Sequence, residues 1–135
     1  MSTECQTIAE LLKELCEQKK RPFPQRRQPL TGPESHGVYI IRRNDTVLHV
    51  GKTSRAQGGL QQRLRDHLYG NSSFVRDDLN GQGATLRETG YTYQFLVEQD
   101  ARTRALLEAL ATGTLCPGIS ALAVSKRLMA GAIKM

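Results

Sequence analysis

Two β-branched runs, Gly37-Val-Tyr-Ile-Ile-Arg-Arg43 and Thr46-Val-Leu-His-Val50, are separated only by Asn44-Asp45. So short a connection joins antiparallel neighbours, because a parallel pair needs a crossover of roughly a dozen residues or more. A dinucleotide-binding pattern of alternating strands and helices is thereby excluded for this stretch. Asn-Asp lacks the glycine that two-residue hairpin turns favour, so a three-residue loop, Asn44 to Thr46, is expected. That register opposes Ile41 to His49 and puts Tyr39 and His49 on one face of the sheet, whereas a two-residue turn would separate them.

Around the hairpin the pattern alternates between helix and strand. Ile8, Leu11, Leu12 and Leu15 predict a helix over 4–20, stopped by Pro22 and Pro24. Lys19 to Gln28 reads as an extended basic linker with too little hydrophobicity to pack alone. Gly58-Gly59 opens a helix through Leu68, with Leu60, Leu64 and Leu68 as its buried stripe. A short helix follows from Ser72 to Leu79, then a glycine-rich loop from Gly81 to Gly90. Tyr91 to Glu98 alternates as a third strand, Asp100 caps a helix carrying Leu106, Leu107 and Leu110, and Cys116-Pro117-Gly118 ends it. A last helix is expected over Ser120 to Ala132. The expected class is α+β, a small three-stranded, mostly antiparallel sheet flanked by helices. The chain divides into a helix and basic linker (1–30), a compact domain (31–120) and a helical extension (121–135).

Several functions are excluded at this level. No apolar run approaches the ~20 residues of a membrane span, so no membrane partner is expected. Met1 to Glu10 holds no basic stretch followed by an apolar core, and a cytoplasmic location is expected. Cys5, Cys16 and Cys116 are odd in number and without C-x-x-C spacing, which indicates neither a disulfide framework nor a zinc ribbon. Gly51-Lys52-Thr53 looks like the end of a phosphate-binding loop, but Thr46 stands where its first glycine belongs.

Charge is concentrated. Residues 18–65 hold eleven Lys or Arg against Glu34 and Asp45, a local charge of +9 within a chain whose total is +6. Such a block attracts polyanions, and arginine, whose planar fork suits phosphate, supplies thirteen of the nineteen basic residues. Lys19, Lys20, Arg21, Arg26, Arg27, Arg55 and Arg65 are the candidate nucleic-acid contacts, with DNA as partner. A basic interaction domain that touches no nucleic acid is the plainer alternative.

Individually, the candidate site residues have ordinary explanations. Arg63 and His67 lie four apart on one helix face, about 60° from the leucine stripe at ~100° per residue. Bordering the core, they can be held by packing and still reach a ligand. Tyr39 is mid-strand, where a tyrosine is usually core. Glu108 follows Arg104 by four residues, which suggests a weak surface ion pair.

In order, however, Gly37-Val38-Tyr39, His49-Val50-Gly51-Lys52, Leu60-x-x-Arg63-Leu64-x-x-His67, Ala105-Leu-Leu-Glu108 and Cys116-Pro117 resemble the GIY-YIG nuclease family over about three-fifths of the chain. The resemblance departs where His49 replaces the tyrosine that opens the family's second motif, and where no Asn follows Pro117. It implies a metal-dependent endonuclease hydrolysing DNA phosphodiester bonds. Tyr39 would be the general base, Lys52 and Arg63 would supply the positive field it needs, and Arg63 would hold the scissile phosphate. His67 and His49 would relay a proton, and Glu108 would bind a divalent metal, Mg²⁺ with Mn²⁺ as substitute. The alternative on the same scaffold is a catalytically weak nucleic-acid-binding protein.

Overall fold

The computed structural model describes residues 3–54 and 58–118; Arg55 and the helix expected over Ser120–Ala132 lie outside the described residues. The hairpin forms from β2 (Gly37–Arg43) and β3 (Thr46–Lys52). Arg43 pairs with Thr46 and Arg42 with Val47, so the turn has two residues, not the three expected. Asn44 supplies the left-handed conformation such a turn requires, at φ 53°. One residue later a bulge shifts the register, and Ile41 pairs with His49, Ile40 with Val50 and Tyr39 with Gly51. The inserted residue is Leu48. Turn and bulge together give the side-chain alternation that the longer loop would have given, so Tyr39 and His49 share a face.

The sheet has four strands, not three, in the order β1-β4-β2-β3, with every pair antiparallel. β4 is Tyr91–Val97, and the additional strand, β1, is only Arg21–Pro22. Proline is tolerated there because β1 is an edge. Its neighbour Phe23 is buried against Tyr93, ring centroids 4.9 Å apart, and pins the basic segment to the sheet. Average hydrophobicity conceals this, since one aromatic anchor is enough to dock an edge.

Both faces of the sheet are covered. On one lie α2 (Gly59–Leu68) and α3 (Ser73–Asp78), which pack Leu60, Leu64, Leu68 and Phe74 against Tyr39, Ile41 and Tyr93. On the other lie α1 (Thr3–Cys16) and α4 (Ala101–Leu115), whose Ile8, Leu15, Leu107 and Ala111 meet Val38, Ile40, Val47 and Val50. The expected loop at 81–90 contains a 3-10 turn, Gly83–Arg87, that buries Leu86 in the first core. No helix among the described residues is long and apolar enough to cross a membrane.

Two backbone features place α2 and the Tyr39 ring. The N–H groups of Leu60 and Gln61 donate to the carbonyls of Ser35 and Pro33, satisfying first-turn donors that have no partner within the helix. In β3, Gly51 stands opposite Tyr39, and a methyl group added there would run into the Tyr39 hydroxyl and ring. The phenol can therefore cross the strand only because residue 51 has no side chain. Gly51→Ala is expected to cost about 1–3 kcal/mol through overpacking, measured by denaturant unfolding, and to displace the Tyr39 ring; unchanged stability would contradict the close approach.

Candidate active site

β2 delivers Tyr39 to the centre of the sheet, where the residue is fully buried. Its hydroxyl lies 2.6 Å from His67 Nε2 on α2 and 3.4 Å from His49 Nε2 on β3. His67 Nδ1 in turn is 2.7 Å from Ser72 Oγ, and Ser72 also accepts from Val75 N–H as the N-cap of α3. These contacts decide the proton positions, since a buried donor needs an acceptor. Val75 can only donate, so the Ser72 hydroxyl proton goes to His67 Nδ1. His67 then carries its proton on Nε2 and donates it to Tyr39 Oη, leaving the phenol's own proton directed outward. The opposite tautomer would strand the buried Ser72 proton.

His49 is fixed by stacking. Its ring lies nearly parallel to Phe74 of α3, 4.7 Å between centroids and 18° between planes. It also meets His67 edge-on at 5.1 Å. Four rings, Tyr39, His49, His67 and Phe74, thus form one group drawn from two strands and two helices.

Burial governs the electrostatics. Removal from water pushes the Tyr39 phenol up to about 12, although the Arg63 guanidinium pulls it the other way. The same desolvation lowers His49 to about 4 and His67 to about 3, with added repulsion from Arg63 on both and from His49 on His67. All three groups are neutral around pH 7. This corrects the expectation that surrounding charge makes Tyr39 a ready base: in the resting protein desolvation outweighs the nearby arginine.

The remaining candidates divide by position. Arg63, half-buried on α2, is the positive charge felt at Tyr39. Lys52 pairs with Val38, and strand alternation places it on the opposite face, toward α4. Glu108, half-buried on α4, is near enough for its charge to raise the Tyr39 pKa. Arg104 does not form the expected ion pair with it. That guanidinium is buried and donates to the carbonyls of Thr53, Glu98 and Gln99, tying the helix to the end of β3 one turn before Glu108.

The basic candidates among the described residues sit on several elements. Arg21 lies on β1, three strand spacings or about 14 Å from β3, with its guanidinium over Phe95. Lys19, Lys20, Arg26 and Arg27 are exposed, Lys20 lying 4.0 Å from Asp45. Arg65 donates to the Leu30 carbonyl and holds the linker.

Among the described residues no group of three His, Cys, Asp or Glu side chains forms a metal cage. Ser72, Phe74 and Arg104 are the site's unanticipated members. Only Ser72 leaves a signal in the sequence, as a helix cap.

The chain is similar in fold to a solved nuclease domain. The match is to the GIY-YIG N-terminal endonuclease domain of UvrC from Thermotoga maritima, in structures of two of its point mutants bound to the catalytic divalent cation. Identity is 19% and 20% and the TM-score 0.49 in both; the alignment covers 89% of this chain and 98% and 99% of those chains. No protein-family model and no curated protein matches the sequence.

The histidines make stability depend on acidity. Their folded pKa values lie below the unfolded 6.5, so the unfolded chain binds more protons as pH falls below that value. Stability is therefore intact above about pH 6.5 and declines toward pH 4, by up to ~1.4 kcal/mol per pH unit for each histidine. Thermal melts should show a falling Tm from pH 7 to 5, and His67→Asn should flatten the decline; an equal decline in the variant would contradict a buried neutral His67.

Proposed function

We propose that the chain is a metal-dependent DNA endonuclease acting at the Tyr39 cluster. The carrying observation is the convergence of Tyr39, His49, His67, Arg63 and Glu108, which come from four separate elements, in the order of the motifs the sequence resembles. A merely structural tyrosine needs one partner for its hydroxyl. Tyr39 has two imidazoles, a guanidinium and a carboxylate around it.

Phosphodiester hydrolysis needs an in-line water, stabilisation of charge on the phosphoryl oxygens and protonation of the leaving oxygen. Arg63 binds the scissile phosphate, for which its forked donors are suited. Tyr39, its own proton released to solvent, acts as a phenolate steadied by His67 Nε2–H; it takes the proton of the attacking water, and solvent protonates the leaving oxygen. Burial pushes the Tyr39 phenol up and the His49 imidazole down, so handing the resting phenol's proton to His49 is unfavourable. His49 therefore orients the water, with its Nε2 lone pair as acceptor. Glu108 fits a cation that uses few protein ligands: Mg²⁺ takes one or two carboxylates and completes its shell with water and phosphate. When bound, such an ion would neutralise phosphoryl charge and lower the cost of forming the phenolate.

Three outcomes are expected. Glu108→Gln should abolish plasmid nicking in Mg²⁺ or Mn²⁺ while DNA binding in a gel-shift assay persists; full activity in the variant would contradict the role. The cleavage rate should climb by up to about tenfold per pH unit between about pH 7 and 9, because the phenolate is scarce throughout that range. A flat profile would rule out Tyr39 as the base. His49→Tyr should retain much of the cleavage that His49→Ala loses, since water orientation requires only a polar group on that ring.

A further inference from the structure

The loop between β1 and β2 folds into a turn that presents Arg27 in the left-handed region at φ 74°, unusual for a residue with a long side chain. The turn is tightly held. Gln28 N–H donates to the Gln25 carbonyl, and Arg87 Nη1 reaches across from the 3-10 turn to the carbonyls of Pro24 and Gln25. Between this turn and the C-terminal end of α2 lies a cavity of about 390 Å³, lined by Arg27, Gln28, Pro29, Tyr69 and Arg87. Tyr69 is 63% exposed, the most exposed large apolar side chain among the described residues. The cavity thus joins an open aromatic ring to two guanidinium groups and a side-chain amide.

We propose that this cavity takes one unpaired nucleotide of the DNA substrate, its base stacked on Tyr69 and its phosphate against Arg27. The inference rests on the endonuclease reading and narrows it to DNA that carries a single-stranded stretch. Stacking on an exposed aromatic is how unpaired bases are held without regard to sequence, and a blunt duplex offers no free base face in its interior. Gln28 can meet a base edge with either donor or acceptor, which suits a site indifferent to which base it holds. The volume is within the range of small-ligand sites. The position also fits: Tyr69 is six residues beyond Arg63 along α2 and its cap, about 9 Å along the axis and about 120° round it. A stacked strand covers the axial rise in two or three nucleotides and needs further length to pass round the helix. A strand with its scissile phosphate on Arg63 therefore brings a base to Tyr69 by following the surface of α2.

The test is DNA binding by the full chain in chelator, so that nothing is cut, followed by fluorescence anisotropy with a short single strand and with the matching blunt duplex. Tyr69→Ala should weaken single-strand binding about tenfold or more and leave duplex binding within about twofold. Tyr69→Phe and Tyr69→Trp should keep single-strand binding, and the Trp variant's emission should be quenched by the single strand. Arg27→Ala should lower the salt slope of binding by about one. Undiminished single-strand affinity in Tyr69→Ala, or an equal loss on both DNAs, overturns the proposal while leaving the endonuclease reading standing. Failure of the unaltered chain to bind either DNA overturns both.

Discussion

The Tyr39 phenol crosses β3 at Gly51 and meets His67 at 2.6 Å, and the arrangement of the molecule follows from that contact. It requires a glycine opposite a tyrosine, which in turn requires the register of the β2–β3 hairpin. It requires α2 to lie over that face with His67 turned inward, which the leucine stripe enforces. It requires α3 to begin at Ser72, because the N-cap hydroxyl sets the tautomer of His67. A single slip of one residue in the hairpin would send Tyr39 and His49 to opposite sides.

Burial then sets the chemistry. Phenol and imidazoles withdrawn from water hold their neutral forms, and the hydrogen-bond chain from Ser72 through His67 aims an N–H at the Tyr39 oxygen. Arg63 and Glu108 stand at the margin of this group from opposite layers of the fold. Arg104 keeps the second layer in place by fastening α4 to three backbone carbonyls.

Much of the fold is legible in the sequence because its signals are local. Short β-branched runs about a turn mark β2 and β3, alternation marks β4, the i, i+4, i+8 leucines mark α2, and Asp100 marks the start of α4. Tyr39, His49 and His67 can be named from motif order, and their shared face from register arithmetic. The route to that face is not legible. A bulge at Leu48 has no sequence signature when both the loop and the strand tolerate it, so a longer turn gives the same alternation on paper. β1 escapes notice because its two residues are held by Phe23, a contact distant in sequence. Gln94 shows the same limit: fully buried, it bonds Arg42 and the Cys16 and Gln18 carbonyls, yet on an alternating strand it reads as solvent-facing. Alternation implies a solvent face only where one side of the sheet is open, and here helices close both. The pKa of Tyr39 is likewise out of reach of the sequence, because desolvation depends on how completely α2 and α3 close over the ring.

The most direct test of the account is the cleavage rate of Tyr39→Phe on a labelled oligonucleotide, measured beside its thermal melt. Phenylalanine keeps the ring that fills the space over Gly51 and removes only the hydroxyl. The account predicts a folded protein whose melt stays close to that of the unaltered chain and whose cleavage falls at least about a hundredfold, in keeping with loss of a general base. Cleavage at the original rate in a folded Tyr39→Phe protein would contradict it.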